Sequence, residues 1–110
     1  MVKLIDYEQD GIGRGCVFRF PAVWPYEEFV DLLVINFPNP DKDTMHALVI
    51  STGHKAGSLL VELPKESELT NSVGLKKEWI ISNWAEWIYP ECDVNDVYII
   101  RRYSPPTITN

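Results

Sequence analysis

Cysteine and histidine are both scarce in this chain, and each shortage closes off a class of chemistry. There are two cysteines, Cys16 and Cys92, and two histidines, His46 and His54. Two distant cysteines do not make the disulfide framework of a small secreted domain, which usually carries four or more. They read as buried thiols in a reducing compartment. No Cys or His stands at the spacing of a structural zinc site, and His54 reads as a solvated loop residue. Asp41-Lys42-Asp43 starts like a calcium loop but lacks the glycine and terminal glutamate that complete one. Long apolar runs are missing too, since nothing approaches the ~20 residues that span a bilayer. Met1 to Tyr7 has neither the apolar stretch nor the cleavage site of a signal peptide, so a cytoplasmic protein is expected. Basic residues are outnumbered, 10 Lys and Arg against 16 Asp and Glu, for a net charge of −6. Nucleic acid and anionic membrane demand clustered cations, so both are set aside as partners, whereas a basic protein partner is allowed.

The familiar catalytic motifs are missing as well. There is no Gly-x-Ser-x-Gly elbow. Cys92 lies between Glu91 and Asp93, which disfavour a thiolate, and Cys16 alternates with Phe18 and Phe20 as a core position would. Gly11-Ile12-Gly13-Arg14-Gly15 is glycine-rich but leads into a strand, without the Lys-Ser/Thr sequel or the helix N-terminus of a phosphate loop. Carboxylates cluster at Glu27, Glu28 and Asp31, and again at Glu62 and Glu66. They leave a small carboxylate-dependent hydrolase as an alternative, although a solvated acidic face is the plainer account. A small-ligand-binding or adaptor domain is another alternative. No enzyme activity, metal or cofactor is expected.

What the chain does have is apolar and aromatic mass. Of 110 residues, 45% are hydrophobic, with four Trp, five Tyr and four Phe. That is enough for one core, so residues 1–110 are expected to form a single domain with a frayed tail from about residue 104. Alternation and turn residues predict a short strand over Lys3 to Tyr7, a turn over Asp10 to Gly15 and a strand over Cys16 to Phe20. In the last of these, Cys16, Phe18 and Phe20 share one face, and Val17 and Arg19 the other. A turn at Trp24 to Glu28 precedes a strand from about Asp31 to Phe37, bounded by Pro38-Asn39-Pro40. Strands over Ala47 to Ser51 and Ser58 to Leu63, joined by the loop Thr52 to Gly57, complete an antiparallel meander. A helix is predicted from about Val73 to Ile88, capped by Asn71 or Ser72 and stopped at Tyr89-Pro90. Its core arc holds Ile80, Ile81, Trp84, Trp87 and Ile88, while Leu75, Trp79 and Glu86 project elsewhere. A last strand covers Val97 to Ile100. The fold class is therefore α+β: an antiparallel sheet of about five to six strands with one main amphipathic helix packed on one face.

Several motifs then occur in order. They are Trp24-Pro25-Tyr26-Glu27 with Asp31, Ser51-Thr52-Gly53-His54-Lys55-Ala56-Gly57, and Leu63-Pro64-Lys65-Glu66-Ser67. Trp79, Asn83-Trp84, Trp87-Ile88-Tyr89-Pro90-Glu91-Cys92 and Asp96-Val97 follow. This composite resembles a family of immunity proteins from bacterial polymorphic-toxin loci, including those of contact-dependent growth inhibition, over about residues 3 to 103. The resemblance implies a protein that binds and neutralises the C-terminal domain of a cognate toxin. Many such toxins are nucleases with basic clefts. It carries over no catalytic residue and does not locate the interface.

A contact surface for a basic partner needs carboxylates for steering and desolvated aromatics for affinity. Two stretches qualify as partner-binding candidates. The first is Trp24, Tyr26, Glu27, Glu28 and Asp31. The second is the helix exit, Glu86, Tyr89, Glu91, Asp93 and Asp96, joined by Trp79. Trp24 and Tyr26 could equally cover one end of the core, and Trp79 could equally be packed.

Overall fold

The computed structural model of the chain describes residues 1–103 and 107–108. The expected tail over residues 104–110 falls largely outside the described residues. Among the described residues there are eight strands and one short α-helix. They are β1 (Val2–Lys3), β2 (Gly11–Ile12), β3 (Val17–Pro21), β4 (Phe29–Asn39), β5 (Thr44–Ile50), β6 (Leu59–Glu62), β7 (Leu75–Lys76), α1 (Lys77–Asn83) and β8 (Tyr98–Ile100). Six strands make an antiparallel sheet in the order β1-β8-β3-β4-β5-β6, and β2 pairs with β7 in a second, two-stranded sheet. The meander of β4, β5 and β6 is as the sequence predicts.

The apolar run in β4 serves both faces of the sheet. Val30, Leu32 and Val34 are buried beneath the helix, together with Phe18, Phe20, Leu48 and Ile50. The alternate residues Phe29, Leu33, Ile35 and Phe37 look to the other, outer face, where Phe29 is 53% exposed. The strand starts two residues before the expected Asp31 and runs on through Pro38. The register pairs Phe18 with Leu32, Phe20 with Val30 and Arg19 with Asp31.

Three local expectations need correction. The strand predicted over Lys3 to Tyr7 is only β1, after which Leu4–Asp6 forms a 3-10 turn closed by the Tyr7 N–H on the Leu4 carbonyl. Inside the predicted turn, Gly11–Ile12 is strand, and Gly15 supplies the positive φ, at +89°. The helix starts at Lys77, not Val73, and neither Asn71 nor Ser72 caps it. Gly74 sits at φ +143°, and a Cβ there would press on the Ile12 carbonyl, so this stretch is extended and held by the β2–β7 pairing. The N–H of Lys77 is satisfied at long range by the Asp10 carbonyl, at 2.9 Å.

The helix ends at Tyr89-Pro90 as expected, but its last stretch, Trp84–Ile88, is a π-helical turn in which the Tyr89 N–H reaches the Trp84 carbonyl. A π turn advances by less than 100° per residue, so it carries Trp87 off the core arc. Ile80, Trp84 and Ile88 are buried, Ile81 is half-buried and Trp87 is 38% exposed. Trp84 lies edge-on between Phe18 and Phe20, with ring centroids 5.7 and 5.2 Å apart.

Candidate partner-binding surface

At one end of the sheet, the chain leaving β3 loops out and returns as β4. The Ala22 N–H closes this loop on the Glu28 carbonyl at 2.9 Å, and the Tyr26 N–H bonds to the Val23 carbonyl at 3.0 Å. Trp24 stands at the tip with 89% of its surface exposed, and Val23 is 53% exposed. The Trp24–Pro25 peptide is cis. Of the two residues that could have covered the end of the core, only Tyr26 packs against it.

The loop is anchored to the helix exit. The Tyr26 ring meets Tyr89 edge-on at 5.8 Å, and Tyr89 lies against Phe20 at 4.8 Å. The Tyr89 hydroxyl accepts the Val23 N–H at 3.0 Å. Two surfaces that are remote in sequence are thereby joined through one side chain. Tyr89 itself is buried, at 6% exposed, so it supports this surface from beneath.

The loop is also held by the β5–β6 connection. Glu27 Oε1 accepts the His54 N–H at 3.2 Å and lies 2.9 Å from His54 Nδ1. These hydrogen bonds hold the Glu27 carboxyl below its ordinary range. The adjacent Gly53 has φ +69°, where glycine is favoured, and a Cβ there would push the Glu27 carboxylate away from His54. Lys55 Nζ sits 4.8 Å over the Tyr26 ring. His54 is exposed, as expected of a loop residue.

The remaining candidates are distributed unevenly. Glu28, Glu86, Glu91, Asp93 and Asp96 are exposed. Asp93 also accepts the Asn95 N–H at 2.9 Å and so caps a 3-10 turn. Trp79 is half-buried against the core and meets Trp87 edge-on, 5.6 Å between centroids. Asp31 is the exception. It is 3% exposed on the outer face of the sheet, where Arg19 Nε and an Arg19 terminal nitrogen grip its two oxygens at 2.7 and 2.8 Å. A carboxylate held in this way is a structural ion pair and not a free steering charge. The sequence reasoning missed this pair, although Arg19 and Asp31 fall opposite each other once β3 and β4 are paired. It also missed Val23, His54 and Lys55 as members or supports of the surface.

The surroundings of both cysteines disfavour the thiolate. Burial pushes both the Cys16 and the Cys92 thiol upward, and Asp96 and Asp93 add to the effect at Cys92. Glu27 is shifted away from the raised value that a proton donor needs. Among the described residues no three His, Cys, Asp or Glu side chains converge as metal ligands. Among the described residues no helix is long and apolar enough to cross a membrane.

Residues 4–99 match a family model described as Immunity protein 45. The chain belongs to the immunity protein 45 family. The match runs from the buried Leu4 to Ile99 in β8 and takes in every candidate contact residue. No curated protein and no solved structure matches the chain. Membership in the family makes immunity the function and a protein toxin the partner.

Proposed function

We propose that this protein neutralises its cognate toxin by tight one-to-one binding in the cytoplasm, with the Trp24 loop at the centre of the interface and no catalysis of its own. The carrying observation is Trp24, 89% exposed on a loop that is otherwise pinned on both sides. An exposed indole on a preorganised loop is a ready anchor, because little ordering entropy remains to be lost on binding. Tyr26 supports it, Glu27 and Glu28 flank it in the same loop, and the exposed Glu86, Glu91, Asp93 and Asp96 of the helix exit add acidic charge as the complement to a basic partner, such as the cleft of a nuclease domain. Trp79, paired with Trp87, extends the apolar part of the helix side.

The test is to measure affinity for the cognate toxin domain, and protection of cells from it, with Trp24→Ala and with the paired reversal Glu28→Lys and Glu91→Lys. The siting predicts a large loss of affinity for the first. For the second it predicts slower association with a flatter salt dependence. Unchanged binding and protection in both would move the interface elsewhere on the molecule.

A further inference from the structure

The opposite end of the sheet carries a groove of about 630 Å³ that the Trp24 surface does not touch. Its walls hold Arg14, Arg101 and Arg102, three of the four arginines in a chain of net charge −6. The fourth, Arg19, is engaged with Asp31. Among the described residues none of the three groove arginines has an ion-pair partner. Topology gathers them: β3 and β8 are antiparallel neighbours with Val17 opposite Ile100. The residues before β3 and after β8 therefore meet at this end. Asp6 and Glu8 share an adjoining depression with Arg101, so the cationic character is concentrated on the Arg14 and Arg102 side.

The floor of the groove is the protruding end of β4. The last residue of β4 with a strand partner in β3 is Leu33, opposite Val17. One step on, Val34 donates to the Cys16 carbonyl at 2.9 Å and accepts the Gly15 N–H at 2.8 Å. Backbone groups alternate sides along a strand, so those of Asn36 point the same way as those of Val34. There β3 has already turned off through Gly15, and Asn36 lines the groove beside the aliphatic Leu33 and Ile35.

We propose that this groove docks an extended, carboxylate-bearing segment of a protein partner, which adds beside β4 at Asn36 and pairs its acidic side chains with Arg14, Arg101 and Arg102. Naming the toxin as the source of that segment rests on the function proposed above. The occupant is a short peptide segment because the attraction is local. A segment with a few carboxylates samples the three arginines within a Debye length of ~8 Å, whereas a long polyanion also meets the acidic remainder of the surface. The aliphatic floor suits alternate apolar side chains of a strand better than stacked bases, which seek aromatic platforms.

The experiment is an amide chemical-shift titration of the full chain at low salt with three probes. They are a blocked hexapeptide alternating Glu and Val, its Lys and Val counterpart, and hexathymidylate. Shifts centred on Gly13, Gly15, Ile35, Asn36 and Arg101 are expected with the Glu peptide alone. Binding should weaken about tenfold in the variant Arg14→Glu, Arg101→Glu, Arg102→Glu. If that variant does not keep the native spectrum around Phe20 and Trp84, Arg14→Gln on its exposed turn serves in its place, with a loss of about threefold. No shift with the Glu peptide, equal binding of the Lys peptide or hexathymidylate, or full binding by the folded variant would overturn the proposal. No toxin is present in this assay, so its failure leaves the Trp24 interface standing. Failure of Trp24→Ala to affect the toxin complex likewise leaves the groove to be judged by the peptide.

Discussion

The two ends of the central sheet are built in opposite ways. At the Trp24 end, a side chain is presented: loops from β3–β4 and β5–β6 lock together through Glu27 and His54 and lean on Tyr89. At the Arg14 end, a space is presented: β4 outruns β3 and leaves an edge flanked by three arginines. The first end is rich in carboxylates and the second in guanidinium groups. A net charge of −6 averages over this difference and conceals it. Net charge therefore speaks to encounter with a partner at long range, while the local sign at each end decides what can dock there. The two ends also relate differently to the family. The Trp24 surface lies within the matched residues 4–99, whereas Arg101 and Arg102 lie beyond them.

The sharpest way to test the contrast is to remove the presented side chain. Trp24→Ala should lower toxin affinity by about 2–4 kcal/mol, the range of an interface hot spot. Its effect on stability should stay within about 0.5 kcal/mol, because the side chain is 89% exposed. Binding by calorimetry and melting by denaturant titration check the two halves. A strongly destabilised variant would mean that Trp24 supports the fold, and the contrast between the ends would collapse.

Between the two ends sits a strap across the outer face. Asp31→Ala removes the buried half of the Arg19 pair and also the acceptor that lies 3.5 Å from the Tyr103 hydroxyl. The pair is one-sided in exposure, 4% for the Asp31 side chain and 39% for Arg19, so the stranded guanidinium can rehydrate. A loss of about 1–3 kcal/mol in denaturant stability is expected, below that of a fully buried pair. Toxin affinity, measured where the variant is still folded, should be unchanged. Reduced affinity at intact stability would return Asp31 to the interface.

How the loop is held offers a finer test. Tyr89→Phe keeps the contacts with Phe20 and Tyr26 and removes only the acceptor of the Val23 N–H. The expected cost is about 1 kcal/mol, shared between stability and affinity. Faster amide exchange should appear at Val23 and Tyr26 before it appears in β5.

Much of this architecture is legible in the sequence, because strand periodicity and turn residues are local signals. Cys16, Phe18 and Phe20 alternate into the core as read, the meander of β4 to β6 follows from its apolar runs, and Tyr89-Pro90 stops the helix. The readings that failed depend on contacts made at a distance. The helix start moves to Lys77 because residues 75–76 are claimed by Gly11–Ile12 across the fold. Trp87 leaves the core because the last turn widens, and no residue pattern in Trp84–Ile88 announces a π turn. Composition makes Asp31 and Tyr89 contact candidates, whereas both are buried against Arg19 and Tyr26, which arrive from other strands and loops. Trp24, which the sequence leaves open between surface and core, is exposed, and so are all the candidate carboxylates except Asp31. The arginine groove was not foreseen, since its members lie nearly ninety positions apart and meet only through the β3–β8 pairing.

The smallest expected effect concerns Glu27 and tests whether the Trp24 end is held as firmly as its geometry indicates. The His54 hydrogen bonds favour the charged carboxylate, so the folded value lies below that of the unfolded chain. A depressed carboxyl stabilises the structure above the unfolded value, near 4.3 for a glutamate, and that contribution fades as pH falls through the folded value. A carbon-detected titration of the Glu27 carboxyl should therefore give a midpoint below that of an unperturbed glutamate. His54→Ala should move it back toward that reference, and because Glu27 is exposed, global stability should hardly change. The Trp24 loop should keep its amide shifts down to the Glu27 midpoint and lose them below it, whereas the groove residues Gly13 and Gly15 should not follow that titration. A common midpoint at both ends would mean that the whole sheet is acid-labile as one unit, and the locking of this loop by Glu27 would explain nothing particular to it.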